Sequence, residues 1–243
     1  MTKPRIVDRG DGPKIEGTRI TVYTVLEYLR AGRTRDWIAA MLHLSSDQIQ
    51  AAMDYIRDHD PPVNAEYATI VARIEKGNPA QVEDQLRANR EKVKARLSRQ
   101  QTSRSPLSMQ RLLSARDVQG HVSRFMDICQ RLPWVDLWCE LECMLCTCED
   151  FDLPVDATDA TIWQACQDHD ILMIPGNRNA AGPESWEMTI RQRKTPNCLP
   201  VLTLADPDRI QRERPYAEAV VERWFDSLID PDALRGTGRL YLP

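Results

Sequence analysis

At 243 residues, 42% of them hydrophobic, the chain is long enough to bury one large core or two ordinary ones without disulfide staples. No apolar run approaches the roughly 20 residues that span a bilayer, and the opening MTKPRIVDRG lacks the apolar stretch of a secretory leader, so a membrane partner is excluded and a cytoplasmic location is expected. The net charge of -4 hides an asymmetry: residues 1–107 carry 18 Lys+Arg against 14 Asp+Glu, and residues 108–243 carry 14 against 22, which predicts two domains of opposite sign.

After a short extended entry the N-terminal part reads as helical. A first helix is predicted from Val22 to Arg30, stopped by Ala31-Gly32. A second begins at Thr34 and presents Trp37, Ile38 and Met41, and a third begins after Ser45-Ser46, places Ile49, Ala52, Met53 and Ile56 on one face, and stops before Pro61-Pro62. Two short helices followed by a longer one is the layout of a helix-turn-helix. The would-be recognition helix shows Asp47, Gln48, Gln50, Asp54, Arg57 and Asp58, a surface more acidic than basic.

From Asn78-Pro79 a connecting helix is predicted, with Val82, Leu86, Val93 and Leu97 near helical spacing. Its Lys92, Lys94 and Arg96 are candidates to track phosphates, against the plainer reading of a solvated helix face. The polar RQQTSRSPLSMQ stretch from Arg99 to Gln110 then reads as a linker. The expected domains are 1–76, helical; 77–108, connecting helix and linker; and 109–243, α/β.

The acidic half alternates strand and helix signals, which argues for a mainly parallel sheet in a three-layer α/β domain. Strands are predicted at Gln110 to Ser114, Ile171 to Ile174 and Pro200 to Leu204, and RGTGRLYLP near the end reads as a turn and edge strand, without the Lys-Ser/Thr of a phosphate loop. Helices are predicted at Val118 to Arg131, Thr158 to His169, Ser185 to Arg193 and Tyr216 to Ile229. Between them, VDLWCELECML alternates apolar and polar residues and predicts another strand.

Cys139, Cys143, Cys146 and Cys148 have a spacing also seen in metal-cluster loops, but in a strand Cys139 and Cys143 lie roughly 13 Å apart, so buried thiols are expected. His43, His59, His121 and His169 are scattered without metal-ligand spacing.

In a parallel sheet every loop from strand to helix falls on one rim. That rim would collect Asp117, then Asp156 and Asp159, then Asn177, Arg178 and Asn179, then Asp206 and Asp208. Carboxylates from separate loops hold hard cations such as Mg²⁺ or Mn²⁺, although Asp156, Asp159 and Asp206 also suit helix capping.

Two resemblances sharpen this. Ile15 to His59, with GTRI at Gly17 to Ile20 and Ala31-Gly32, resembles the VapB-type antitoxin family of small helix-turn-helix proteins, which implies homodimerisation, DNA as a partner and pairing with a PIN-like ribonuclease. The stretches LLSARDVQGHV, DATDATIWQACQDHDILMIPGNRN and TPNCLPVLTLADPDRI, with the ending GTGRLYLP, resemble the PIN-like nuclease family. The second resemblance implies Asp117, Asp159 and Asn177 at the catalytic positions, Asp117 and Asp159 as metal ligands for Mg²⁺ or Mn²⁺, and RNA as substrate, with Arg178 and Asn179 touching it. Asn177 stands where that family has an acid, and Ala115 is also non-acidic, so the expected site is degenerate, with Glu184 and Glu187 as nearby replacements. The expected function is a toxin-antitoxin-derived fusion with a Mg²⁺-dependent ribonuclease domain; the alternative is a non-catalytic dimeric regulator that binds nucleic acid or protein.

Overall fold

Thr21, Thr34 and Ser45 each accept a hydrogen bond from a backbone N–H in the first turn of the helix that follows, and these three caps set the starts of α1 (Val22–Arg30), α2 (Arg35–Met41) and α3 (Ser46–Asp58). The computed structural model describes residues 4–98, 111–114, 125–131, 133–154, 157–175 and 182–243. A small antiparallel hairpin of β1 (Ile6–Asp8) and β2 (Pro13–Ile15) precedes α1. Helix α3 ends before Pro61-Pro62 as expected, and the same prolines open a further helix, α4 (Asp60–Lys76), because the first helical turn needs no donor from Pro61 or Pro62. One core, running from Ile15 to Ile70, joins β2 and α1 to α4, with Val25, Ile38, Ile49 and Ala52 fully enclosed.

The second core starts earlier than the domain boundaries read from sequence. Helix α5 (Ala80–Ser98), expected as a connector, sends Val82, Leu86 and Val93 into the same apolar cluster as the sheet. Asn89 donates to the carbonyls of Asp226 and Asp230 at 2.9 and 3.3 Å, and Arg90 holds the Asp226 carboxylate at 2.9 Å. Replacing Leu86 by alanine is therefore expected to lower stability by about 2–5 kcal/mol, as for an enclosed core leucine. Urea denaturation checks it, and a loss near that of an exposed leucine would mean that α5 is only a tether.

Five strands form one parallel sheet in the order β4 (Met144–Cys146), β3 (Arg111–Ser114), β5 (Ile171–Ile174), β6 (Val201–Leu204), β7 (Arg239–Leu242). The ILMI and VLTL runs are buried throughout, as expected of strands covered on both faces. Residues 125–129, α6 (Trp134–Glu140), α7 (Asp159–Asp168), α8 (Trp186–Arg193), α9 (Pro207–Arg212) and α10 (Arg214–Leu228) are helical. The GTGRLYLP ending supplies β7 at one edge. There the Asn78 side-chain amide donates to the Tyr241 carbonyl at 2.9 Å and accepts from the Tyr241 N–H at 2.6 Å, taking both groups as a neighbouring strand would.

The VDLWCELECML stretch departs from expectation. It forms α6, and only Met144–Cys146 is strand. Trp134, Leu137, Trp138 and Leu141 recur at helical spacing, and Leu137 and Leu141 serve both that pattern and the alternating one. The consequence is visible at Cys139, which alternation would bury and which is exposed. Glu142 adopts a left-handed φ of 46° where the chain turns from helix to strand. Cys129, Cys146 and Cys166 are buried, and burial, with Cys139 nearby, pushes the Cys143 thiol up to about 12.

Candidate functional site

Strand β2 and the turn after it are built to present two cations side by side. Gly17, at φ +72°, lets the chain reverse, and the Ile15 N–H donates to the Ile20 carbonyl at 3.0 Å. Lys14 and Arg19 project from this loop, and both side chains are buried. They meet Asp159, the first residue of α7, which lies behind Thr158, the residue that caps the helix.

Arg19 Nη2 lies 2.6 Å from Asp159 Oδ1 and Lys14 Nζ lies 3.6 Å from the same oxygen. Arg19 also donates to the Ala157 carbonyl, and Lys14 pairs with Asp11. Two buried cations thus face two buried carboxylates. Asp159 is 0% exposed, so burial pushes its carboxyl above the usual carboxylate range, while Arg19 and then Lys14 pull against that rise.

The same arrangement recurs along the rim. Asp208, in the first turn of α9 beyond β6, receives Arg33 through Nε at 2.8 Å and Nη2 at 3.3 Å, a two-point fork, and also Arg212 at 2.7 Å. Glu187 on α8, beyond β5, receives Arg73 at 3.0 Å and Arg239 at 2.5 Å. Glu184 donates its N–H to the Gly10 carbonyl at 2.8 Å, and its carboxylate accepts from Thr158 Oγ1 at 3.4 Å.

Acids behind three strands are therefore each met by a cation of the N-terminal domain: Arg19 and Lys14, Arg33, and Arg73. The opposite charges of the two halves are matched across this junction. The N-terminal domain covers the edge of the sheet on which open α/β folds place ligands.

The residues predicted for the site fare differently. Asp159 is at the rim, held by Arg19 and Lys14. Asp117, Asn177, Arg178 and Asn179 lie outside the described residues, as do Ala115, Asp156 and His121. Asp206 caps α9 by accepting from the Arg209 N–H at 2.9 Å. Lys92 pairs with Asp230 at 2.5 Å, Lys94 with Glu91 at 2.9 Å, and Arg96 with Glu140, so the basic face of α5 is matched by acids. On α3, Arg57 pairs with Asp54 and Asp58.

Two cationic side chains already lie against Asp159, and among the described residues no group of three or more His, Cys, Asp or Glu side chains could hold a metal ion. Sequence reasoning missed Lys14, Arg19, Arg33 and Arg73 as rim partners. The one available signal was the basic excess of the N-terminal half.

A family described as "Protein of unknown function (DUF433)" matches residues 9–56, from the end of β1 into α3. The matched stretch contains Lys14, Arg19 and Arg33. Comparisons with curated proteins and with solved structures found no match. Among the described residues no helix is long and apolar enough to cross a membrane.

Proposed function

We propose that the chain is a toxin-antitoxin-derived fusion whose antitoxin-like N-terminal domain holds its PIN-like domain in a non-cleaving state. The observation that carries this reading is the seating of Arg19, from the GTRI stretch, on Asp159, which the PIN-like resemblance marks as a metal-ligand position. An arginine there pairs with the carboxylate and competes with a divalent ion for its Oδ1. RNA cleavage requires the N-terminal domain to leave the rim first. The opposite-charge contacts at Asp208 and Glu187 support the same covering role, because they spread the attachment over three loops.

The test compares cleavage of a mixed-sequence RNA by the wild-type chain and by Arg19→Ala, with and without Mg²⁺ or Mn²⁺, circular dichroism verifying that both are folded. The wild type is expected to be nearly inert and the variant to gain metal-dependent cleavage by roughly tenfold or more, as for removal of a restraint worth one decade in population. Adding Asp159→Asn should abolish that gain. Wild type and Arg19→Ala both folded and inert with metal would favour the second reading, a non-catalytic protein that binds nucleic acid or protein through the same rim. Full exclusion of solvent from Asp159 is the observation that favours that reading.

A further inference from the structure

We propose that the outer edge of β4 is a docking site for an extended, basic segment of another protein, which adds to the sheet as a sixth strand. The site uses the outward side of β4 and does not depend on the reading given to Asp159. Met144 and Leu145 are 49% and 42% exposed, and they are the exposed large hydrophobic residues among the described ones. They are neighbours on a strand, and successive strand residues point to opposite faces, so both faces of this strand are left partly uncovered.

Strand β4 pairs only with β3 among the described residues, in the register Arg111 with Met144, Leu112 with Leu145 and Leu113 with Cys146. Its other side is a sheet edge of the kind that a second chain completes through main-chain hydrogen bonds. Edges are ordinarily protected by lysines, prolines or bulges facing outward, and Met144–Cys146 carries none of these.

Charge decides what the edge accepts. Asp136, Glu142, Glu149, Asp150 and Asp152 are exposed on the segments that flank β4. A second copy of this chain would bring the same five acids against them, and like charges facing across paired strands destabilise the pairing. A segment that alternates lysine or arginine with apolar residues satisfies both features. Its apolar side chains cover Met144 and Leu145, and its cations meet the acids.

The probe is a fluorescein-labelled peptide of alternating Lys and Val, titrated against the full-length chain by anisotropy, with an alternating Glu and Val peptide as control. Saturable binding of the basic peptide is expected, weakened by salt, lost by about tenfold or more in Met144→Lys/Leu145→Lys, and absent for the acidic peptide. Amide exchange at residues 144–146 should slow when the peptide is bound, since an added strand takes their outward groups. Equal binding to wild type and double variant would overturn the proposal, as mere attraction between charges. So would unchanged exchange at residues 144–146. A wild-type chain that sediments as a dimer and becomes monomeric in the double variant would overturn it too, by making a second copy the occupant.

Discussion

Replacing Arg19 by alanine is expected to lower the stability of the chain by about 3–5 kcal/mol, because it takes the nearer of two cations from the fully enclosed Asp159 carboxylate. Lys14 is shared with Asp11 and lies farther from Asp159 than Arg19 does. The loss should be read by urea denaturation and compared with Arg57→Ala, which removes exposed ion pairs with Asp54 and Asp58 from a side chain that is itself 68% exposed and which should leave the midpoint nearly unchanged. Asp159→Asn combined with Arg19→Ala should cost less than the sum of the two single changes, since each single change strands the other partner. Additivity, or a small effect of Arg19→Ala alone, would mean that the contact is too wet to hold the domains together.

Gly182→Ala should be as damaging for a different reason. Gly182 sits at φ +94°, and a Cβ placed there would lie 2.0 Å from the Gly10 carbonyl oxygen and 2.4 Å from its carbon. Both obstacles are backbone, so no side chain can swing aside. The loop must withdraw from Gly10, and the hydrogen bond from the Glu184 N–H to the Gly10 carbonyl goes with it. A loss of about 3 kcal/mol or more is expected, from positive-φ strain together with overpacking. The substitution touches no charge, so it separates the steric part of the junction from the ionic part. Urea denaturation gives the loss, and faster proteolysis at the junction should accompany it. A variant as stable as the wild type would show that the two glycines do not need to approach.

What was legible in the sequence was short-range. Thr34 and Ser45 marked the starts of α2 and α3, and the Ala31-Gly32 stop marked the end of α1, because capping is decided within four residues. The ILMI and VLTL runs announced buried strands. Pattern failed where one string of residues satisfied two periods, as in α6; the stop of α3 before Pro61-Pro62 was read correctly, but the new helix α4 that those prolines open was not expected. Helix α9 was missed because six residues are too few to show a period.

The rim was legible as a place but not as a set of contacts. Asp159 was expected there, yet its partner Arg19 is 140 residues away in the chain, and Arg33 is 175 residues from Asp208. No local pattern encodes such pairings. The net charges of the halves carried only their sign. The amides of the GNRN stretch raised the question of a degenerate metal site, and the arginine on Asp159 makes that question one about access as well as ligands.

The Asn78 amide that occupies the backbone of Tyr241 has a consequence for assembly. One margin of the sheet is already plugged by a side chain of the same molecule, while at the other margin β4 pairs with β3 alone among the described residues. A fibre that grows strand by strand needs two receptive margins on every unit, one to take and one to give. With only one, addition stops after a single step, so whatever joins β4 terminates the stack and does not propagate it.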